Sequence, residues 1–126
     1  MSGHSFPRKE KLKTRKEIEQ TLKTGKFLSC KLLTMIYLEC VDNERSFHKF
    51  AVSVPKKHIK KAVQRNRLKR QIREIYRLNK PCLQKGNHEV YCNIFLIYRC
   101  SEMYSFDEIK SAYLILRDKM SRKINL

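Results

Sequence analysis

The chain has 126 residues, enough for one domain with a hydrophobic core and too few for two ordinary ones. Lys plus Arg is 29 and Asp plus Glu is 12, a net charge of +17, and 41% hydrophobic residues with three Gly and three Pro exclude a disordered chain. No apolar run reaches the roughly 20 residues of a membrane span, and residues 1–12 lack the apolar stretch of a secretory signal. The expectation is one domain over 1–126 in the cytoplasm, with 1–11 as a flexible basic arm, that meets a polyanion and no membrane.

In chain order, Thr14-Arg15-Lys16-Glu17 is a capping box that opens a helix over 15–24, with Ile18 and Leu22 one turn apart on one face. Gly25 is placed to end it as a left-handed stop. Residues 32–39 are apolar on both alternating sets, which predicts a strand covered on both sides. Asp42-Asn43-Glu44 is a turn signal. Phe50, Val52 and Val54 then alternate with Ala51 and Ser53 as a half-buried strand ended by Pro55, and the small-sided face lets a ligand backbone approach closely. Residues 57–79 carry helical spacing at Leu68, Ile72, Ile75 and Tyr76, a rod of about 33 Å. Residues 90–98 read as a buried strand. Ser105-Phe106-Asp107-Glu108 is a second capping box, and the helix it opens has a core stripe of Ile109, Ala112, Tyr113, Leu116 and Met120. The order α-β-β-α-β-α predicts a single-domain α+β sandwich.

The charge is concentrated. Residues 56–80 hold eleven bases against one acid, Glu74, and residues 8–26 hold eight bases against three acids, whereas the segment from 101 onward is nearly balanced. A concentrated basic surface attracts polyphosphate, since each neutralised phosphate releases counterions. The five cysteines (Cys30, Cys40, Cys82, Cys92 and Cys100) form no C-x-x-C pair and the four histidines have no zinc spacing. Free thiols in a reducing compartment and no protein-held metal are the expectation.

On a helical wheel with Leu68 at zero, Ile72 and Ile75 fall within about 40° of it. Asn66, Arg70, Arg73 and Arg77 fall on the far side, near 140° to 200°, with Arg67 and Lys69 flanking them. A ladder of guanidinium groups along one edge of a helix suits a phosphate backbone, because each offers planar bidentate donors. Ala62 and Val63 lie on the same side one turn earlier, where they either pack on another element or line a groove.

The strings Ala51-Val52-Ser53-Val54-Pro55-Lys56-Lys57 and Ala62-Val63-Gln64-Arg65-Asn66-Arg67-Leu68-Lys69-Arg70-Gln71-Ile72-Arg73-Glu74 resemble the signature of the bacterial ribonuclease P protein subunit. The resemblance runs from about Leu12 to Met120 in element order and length. It implies an α-β sandwich like certain ribosomal protein domains, with a left-handed β-α-β crossover that general rules do not give. It implies a protein that does no chemistry itself. A catalytic RNA removes the 5′ leader of precursor tRNA with magnesium ions held mainly by RNA, and the protein has no small-molecule substrate. Its implied RNA-binding residues here are Lys56, Lys57, Arg65, Asn66, Arg67, Lys69, Arg70 and Arg73, and the basic segment itself adds Lys61 and Arg77 to the expected set. Its implied leader cleft lies between the first helix and the sheet, with Ile18 and Leu22 at the first-helix positions, and Tyr37 and Ser53 are the sheet residues expected to share the contact. Family members often carry aromatic rings where this chain has Ile18 and Leu22, and rings stack on bases where aliphatic groups do not. The loop over 56–61 is also one residue longer and lacks a glycine common there.

Other classes fit less well. A nuclease with protein-held metal needs converging carboxylates, whereas Asp107-Glu108 and Glu17-x-Glu19 are explained by helix capping. A helix-turn-helix DNA binder needs two helices joined by a short turn, and strands flank the basic helix here. A ribosome-associated RNA binder shares the composition and is the alternative that composition does not separate.

Overall fold

Thr14 opens the first helix, α1 (Arg15–Thr24), by accepting the Glu17 amide at 3.3 Å. The Glu17 carboxylate accepts from the Thr14 hydroxyl at 2.8 Å and from Lys49 Nζ at 2.7 Å, which ties the start of the helix to a strand. These details come from a computed structural model that describes residues 8–40 and 46–125; the predicted turn at Asp42-Asn43-Glu44 lies outside them. Gly25 ends α1, though not in the left-handed conformation expected, since its backbone is extended at φ −73° and ψ 166°. Proximity demands the glycine instead. A Cβ there would stand 2.4 Å from the Thr21 carbonyl oxygen and 2.9 Å from that of Tyr37.

The remaining elements are β1 (Lys26–Ser29), β2 (Leu33–Glu39), β3 (Lys49–Ser53), α2 (Ala62–Leu78), a short hairpin of β4 (Gln84–Lys85) and β5 (His88–Glu89), then β6 (Cys92–Tyr98) and α3 (Phe106–Ile124). The four-stranded sheet has the order β1-β2-β6-β3, antiparallel except for the parallel β3–β6 pair, so α2 lies on the crossover between those two. Three elements were not expected: β1, a four-residue edge strand, and the two-residue strands of the hairpin around Gly86 at φ 62°. Helix α2 also starts later than the predicted residue 57, because the amides of His58 and Ile59 both turn back to the Pro55 carbonyl. Before α1, residues 8–11 differ from the expected flexible arm. Arg8–Glu10 forms a 3-10 turn, Lys11 bridges Phe50, and buried Glu10 pairs with Lys80; residues 1–7 lie outside the described residues.

Helices α2 and α3 pack on one face of the sheet, α2 over β3 and α3 over β1 and β2. Leu33, Met35, Ile94, Leu96 and Tyr98 meet Leu68, Ile72, Ile75, Tyr113 and Leu116 there, all of them buried. Tyr37 belongs to this core, and its expected place in a leader cleft is corrected. It alternates with Met35 and pairs with Ile94, so it points at the helices, and it is only 3% exposed. Its hydroxyl has no hydrogen-bond partner among the described residues, and burial pushes its pKa up. Buried His48 fixes the return from α2 to β6: Nδ1 accepts the Cys92 amide at 3.0 Å, which leaves Nε2–H to donate to the Pro81 carbonyl at 3.0 Å.

Two consequences are measurable. Gly25→Ala is expected to cost about 2 kcal/mol in urea unfolding, as overpacking of a close contact does, and a loss under about 0.5 kcal/mol would show that α1 moves aside freely. The second concerns alkali. Burial raises the Tyr113 hydroxyl well above its ordinary value of 10.0, and that hydroxyl donates to the Asn79 carbonyl at 2.8 Å. Above that ordinary value the unfolded chain releases a proton that the folded chain keeps, so stability is present below pH 10 and lost as pH rises. Tyr113→Phe is expected to flatten the alkaline stability slope by up to about 1.4 kcal/mol per pH unit.

Candidate nucleic-acid interface

Burial of Leu68, Ile72, Ile75 and Tyr76 against the sheet sets the rotation of α2. Asn66, Arg67, Arg70 and Arg73 consequently stand exposed on its outer side, with Lys69 half-buried beside them. None of these five has a hydrogen-bonded or ion-paired side chain among the described residues. Lys61 caps α2 without a side-chain hydrogen bond and no acid occupies the first turn, so the unsatisfied amides and the positive end of the helix dipole add to the field of Lys56, Lys57 and Lys61, all exposed. Ala62 and Val63 do not pack on another element; Val63 is 80% exposed on the side of the arginines.

Two members of the expected ladder behave differently. Arg77 forms a two-pronged pair with Glu74, Nε to Oε2 at 3.1 Å and Nη2 to Oε1 at 2.5 Å, and that hydrogen bond raises its pKa further. Its charge is locally neutralised, so the free ladder ends at Arg73. Arg65 is half-buried, and its Nη1 donates to the carbonyls of Ile59 (3.0 Å) and Lys60 (2.8 Å). It braces the turn between β3 and α2 and so holds the lysines of that turn in place.

The other face of the sheet carries a cleft. Helix α1 covers only part of that face, held there by buried Thr21, whose hydroxyl donates to the Glu17 carbonyl (2.8 Å) and receives Asn93 Nδ2 (3.4 Å). Ile18 and Leu22 form the α1 wall of the cleft, and Ala51 and Ser53 of β3 form the other side. Phe95 and Ile97 of β6 are the floor. Basic groups stand at both ends: Lys11, Lys13 and Arg73 at one, Lys57 and Arg99 at the other. Arg99 is steadied by Nη1 on the Thr34 hydroxyl at 3.2 Å. An apolar, aromatic floor between cationic ends suits a single-stranded polynucleotide.

A protein-family model described as ribonuclease P matches residues 6–121. The chain belongs to the ribonuclease P protein family. A ribonuclease P protein component from Dictyoglomus thermophilum is 40% identical over 85 residues, 68% of each chain, and one from Porphyromonas gingivalis is 32% identical over 105 residues, 82% of this chain and 77% of that one. Among solved structures, the ribonuclease P protein of Thermotoga maritima superposes with a TM-score of 0.69 at 29% identity, covering 87% of this chain and 96% of that one. That of Staphylococcus aureus shares the fold, with a TM-score of 0.69 at 24% identity over 92% of this chain and 98% of that one. Membership places the chain in the processing of tRNA 5′ ends.

Within this ribonuclease P protein, the structure brings Ile18, Leu22 and Ser53 together in the cleft and Asn66, Arg67, Lys69, Arg70 and Arg73 along α2. Sequence reasoning missed Phe95, Ile97 and Arg99, and Phe27 of β1 beside them. Residues 90–98 alternate nothing, being apolar at nearly every position, so the pattern does not show which set of side chains lies open. Among the described residues no group of three or more His, Cys, Asp or Glu is gathered as a metal site, and none of the five cysteines forms a disulfide. No helix among them is long and apolar enough to cross a membrane.

The division between brace and ladder is testable by urea unfolding. Arg65→Ala is expected to cost about 1–3 kcal/mol, because two carbonyls lose a charged donor. Arg70→Ala with Arg73→Ala is expected to stay within about 0.5 kcal/mol of the parent. An unfolded double variant would make those arginines structural.

Proposed function

We propose that the chain is the non-catalytic protein subunit of ribonuclease P, which binds the catalytic RNA along α2 and holds the 5′ leader of precursor tRNA in the cleft. The observation that carries this reading is the set of unpaired cations on α2, Arg67, Lys69, Arg70 and Arg73, beside a cleft with an aromatic floor and basic ends. The two surfaces meet at the turn holding Lys56 and Lys57, so a folded RNA on one and a single strand on the other lie adjacent. Each suits its ligand: a rigid row of guanidinium groups for phosphates of folded RNA, and a narrow trough for unpaired nucleotides.

In this reading the RNA performs the cleavage and holds the magnesium ions. The protein's own donor set does not fit a magnesium site there. The carboxylates nearest the two surfaces, Glu17 and Glu74, are paired with Lys49 and Arg77, and Mg²⁺ prefers oxygen ligands free to complete an octahedron. The protein contributes charge neutralisation and positioning, in the cytoplasm where tRNA is made.

Affinity for the catalytic RNA should fall steeply with salt, with a log–log slope of about −3 or steeper if four or more phosphates are neutralised. Arg70→Ala with Arg73→Ala should make that slope shallower by about two. A salt-independent affinity would refute the electrostatic reading. The function itself is checked by cleavage of leader-bearing precursor tRNA by the catalytic RNA at low magnesium. Added protein is expected to stimulate the reaction, and no stimulation would overturn the proposal.

A further inference from the structure

The register of the sheet places Phe27, Ile36, Phe95 and Ala51 in one row across its open face, Phe27 opposite Ile36, Ile36 opposite Phe95, and Phe95 opposite Ala51. Ile36 is buried between the two rings and lies against the end of α1 at Gly25, and both Phe27 and Phe95 line the half of the cleft that holds Lys57 and Arg99. Their surroundings differ. Phe27 is 60% exposed on the edge strand, whereas Phe95 is half-buried and lines both halves of the cleft. Beside Phe95, the β3 side chains Ala51 and Ser53 are too short to cover a ring, and the α1 wall is aliphatic at Ile18 and Leu22. One aromatic surface is thus left open at the centre of the trough, between Arg73 at one end and Lys57 at the other.

We propose that Phe95 is the base-stacking platform of this cleft, on which one unpaired nucleotide of the leader lies flat. This rests on the reading of the cleft as the leader site. In this chain the aromatic contact comes from the sheet floor, and Ile18 and Leu22 close over the base as an apolar wall. A base lying on Phe95 is enclosed by α1 and β3 and has cations at both ends of the cleft for the phosphates before and after it, whereas Phe27 lines one half only and is 60% exposed on the edge strand. Stacking is tolerant of base identity, since every base has a π-face, so the platform selects single-strandedness rather than sequence.

The test uses holoenzyme reconstituted from the full chain and its catalytic RNA. Affinity is measured for precursor tRNA with a leader of several nucleotides and with the leader cut to one, and the ratio is the leader-dependent gain. Phe95→Leu, which keeps apolar bulk but removes the ring, is expected to lower that gain about 5- to 100-fold. Affinity for the short-leader substrate and the thermal midpoint should hold. Phe95→Tyr should keep the gain, and Phe27→Leu should lower it less than Phe95→Leu does; an equal or larger loss from Phe27→Leu would overturn the platform. A fluorescent adenine analogue stepped along the leader gives a second readout: one position should be quenched by the parent and by Phe95→Tyr, and not by Phe95→Leu. A parent with no leader-dependent gain would sink the reading of the cleft itself. A parent with a gain that Phe95→Leu retains, or with no ring-dependent quenching at any position, would overturn the platform alone.

Discussion

The rotation of α2 about its own axis is the constraint from which the rest follows. Leu68, Ile72, Ile75 and Tyr76 are buried on one side, and the ring of Tyr76 stacks on Phe50 with centroids 4.0 Å apart and 8° between planes. Tyr113 of α3 meets Tyr76 edge-on at 6.4 Å, so a single ring links strand, basic helix and last helix. Burying each such side chain is worth about 1.5–3 kcal/mol, whereas an exposed ion pair returns about 0–1 kcal/mol. Turning the helix to let Arg70 or Arg73 reach a carboxylate would therefore lose far more than it gained. The arginines stay outward and unpaired because the core does not allow anything else.

Much of this was legible in the sequence, for a reason specific to periodicity. A stripe four residues deep defines its own opposite side, so Asn66, Arg67, Arg70 and Arg73 are located by Leu68, Ile72 and Ile75 without any knowledge of their neighbours. The core stripe of α3 from Ile109 to Met120 and the whole span of α1 are readable in the same way. What the pattern does not carry is partnership across the chain. The carbonyls that occupy Arg65 belong to a turn whose path depends on Pro55, and a helical wheel contains no such information. Strands apolar on both faces are equally silent. Tyr37 and Phe95 both sit in such strands, and only the sheet register shows that the first faces the helices and the second the cleft. Gly25 is a related case: a glycine after a helix suggests a backbone angle, yet here the missing Cβ is what matters.

The cleft exists because α1 is small and firmly seated. A ten-residue helix does not cover a four-stranded face, and the Thr21–Asn93 contact fixes which part it covers. Close approach at Gly25 keeps the helix low over Ile36, so Ile18 and Leu22 stand at the margin of the floor. On the opposite margin, the turn braced by Arg65 carries Lys57 into the cleft while its neighbours face the same way as the free edge of α2. One guanidinium thereby couples the geometry of both surfaces.

The parallel pairing of β3 with β6 has a kinetic side. Strand β6 is the partner of both β2 and β3, and among the described residues it comes after every other strand. On a ribosome adding about 5–20 residues per second, β3 and α2 emerge before the strand that joins them to the sheet exists. Through that interval the basic helix lacks a completed platform, and closure of the sheet waits on contacts between residues far apart in the chain, the kind that slow folding. The order of synthesis thus leaves the most cationic segment without a fixed orientation until β6 has paired.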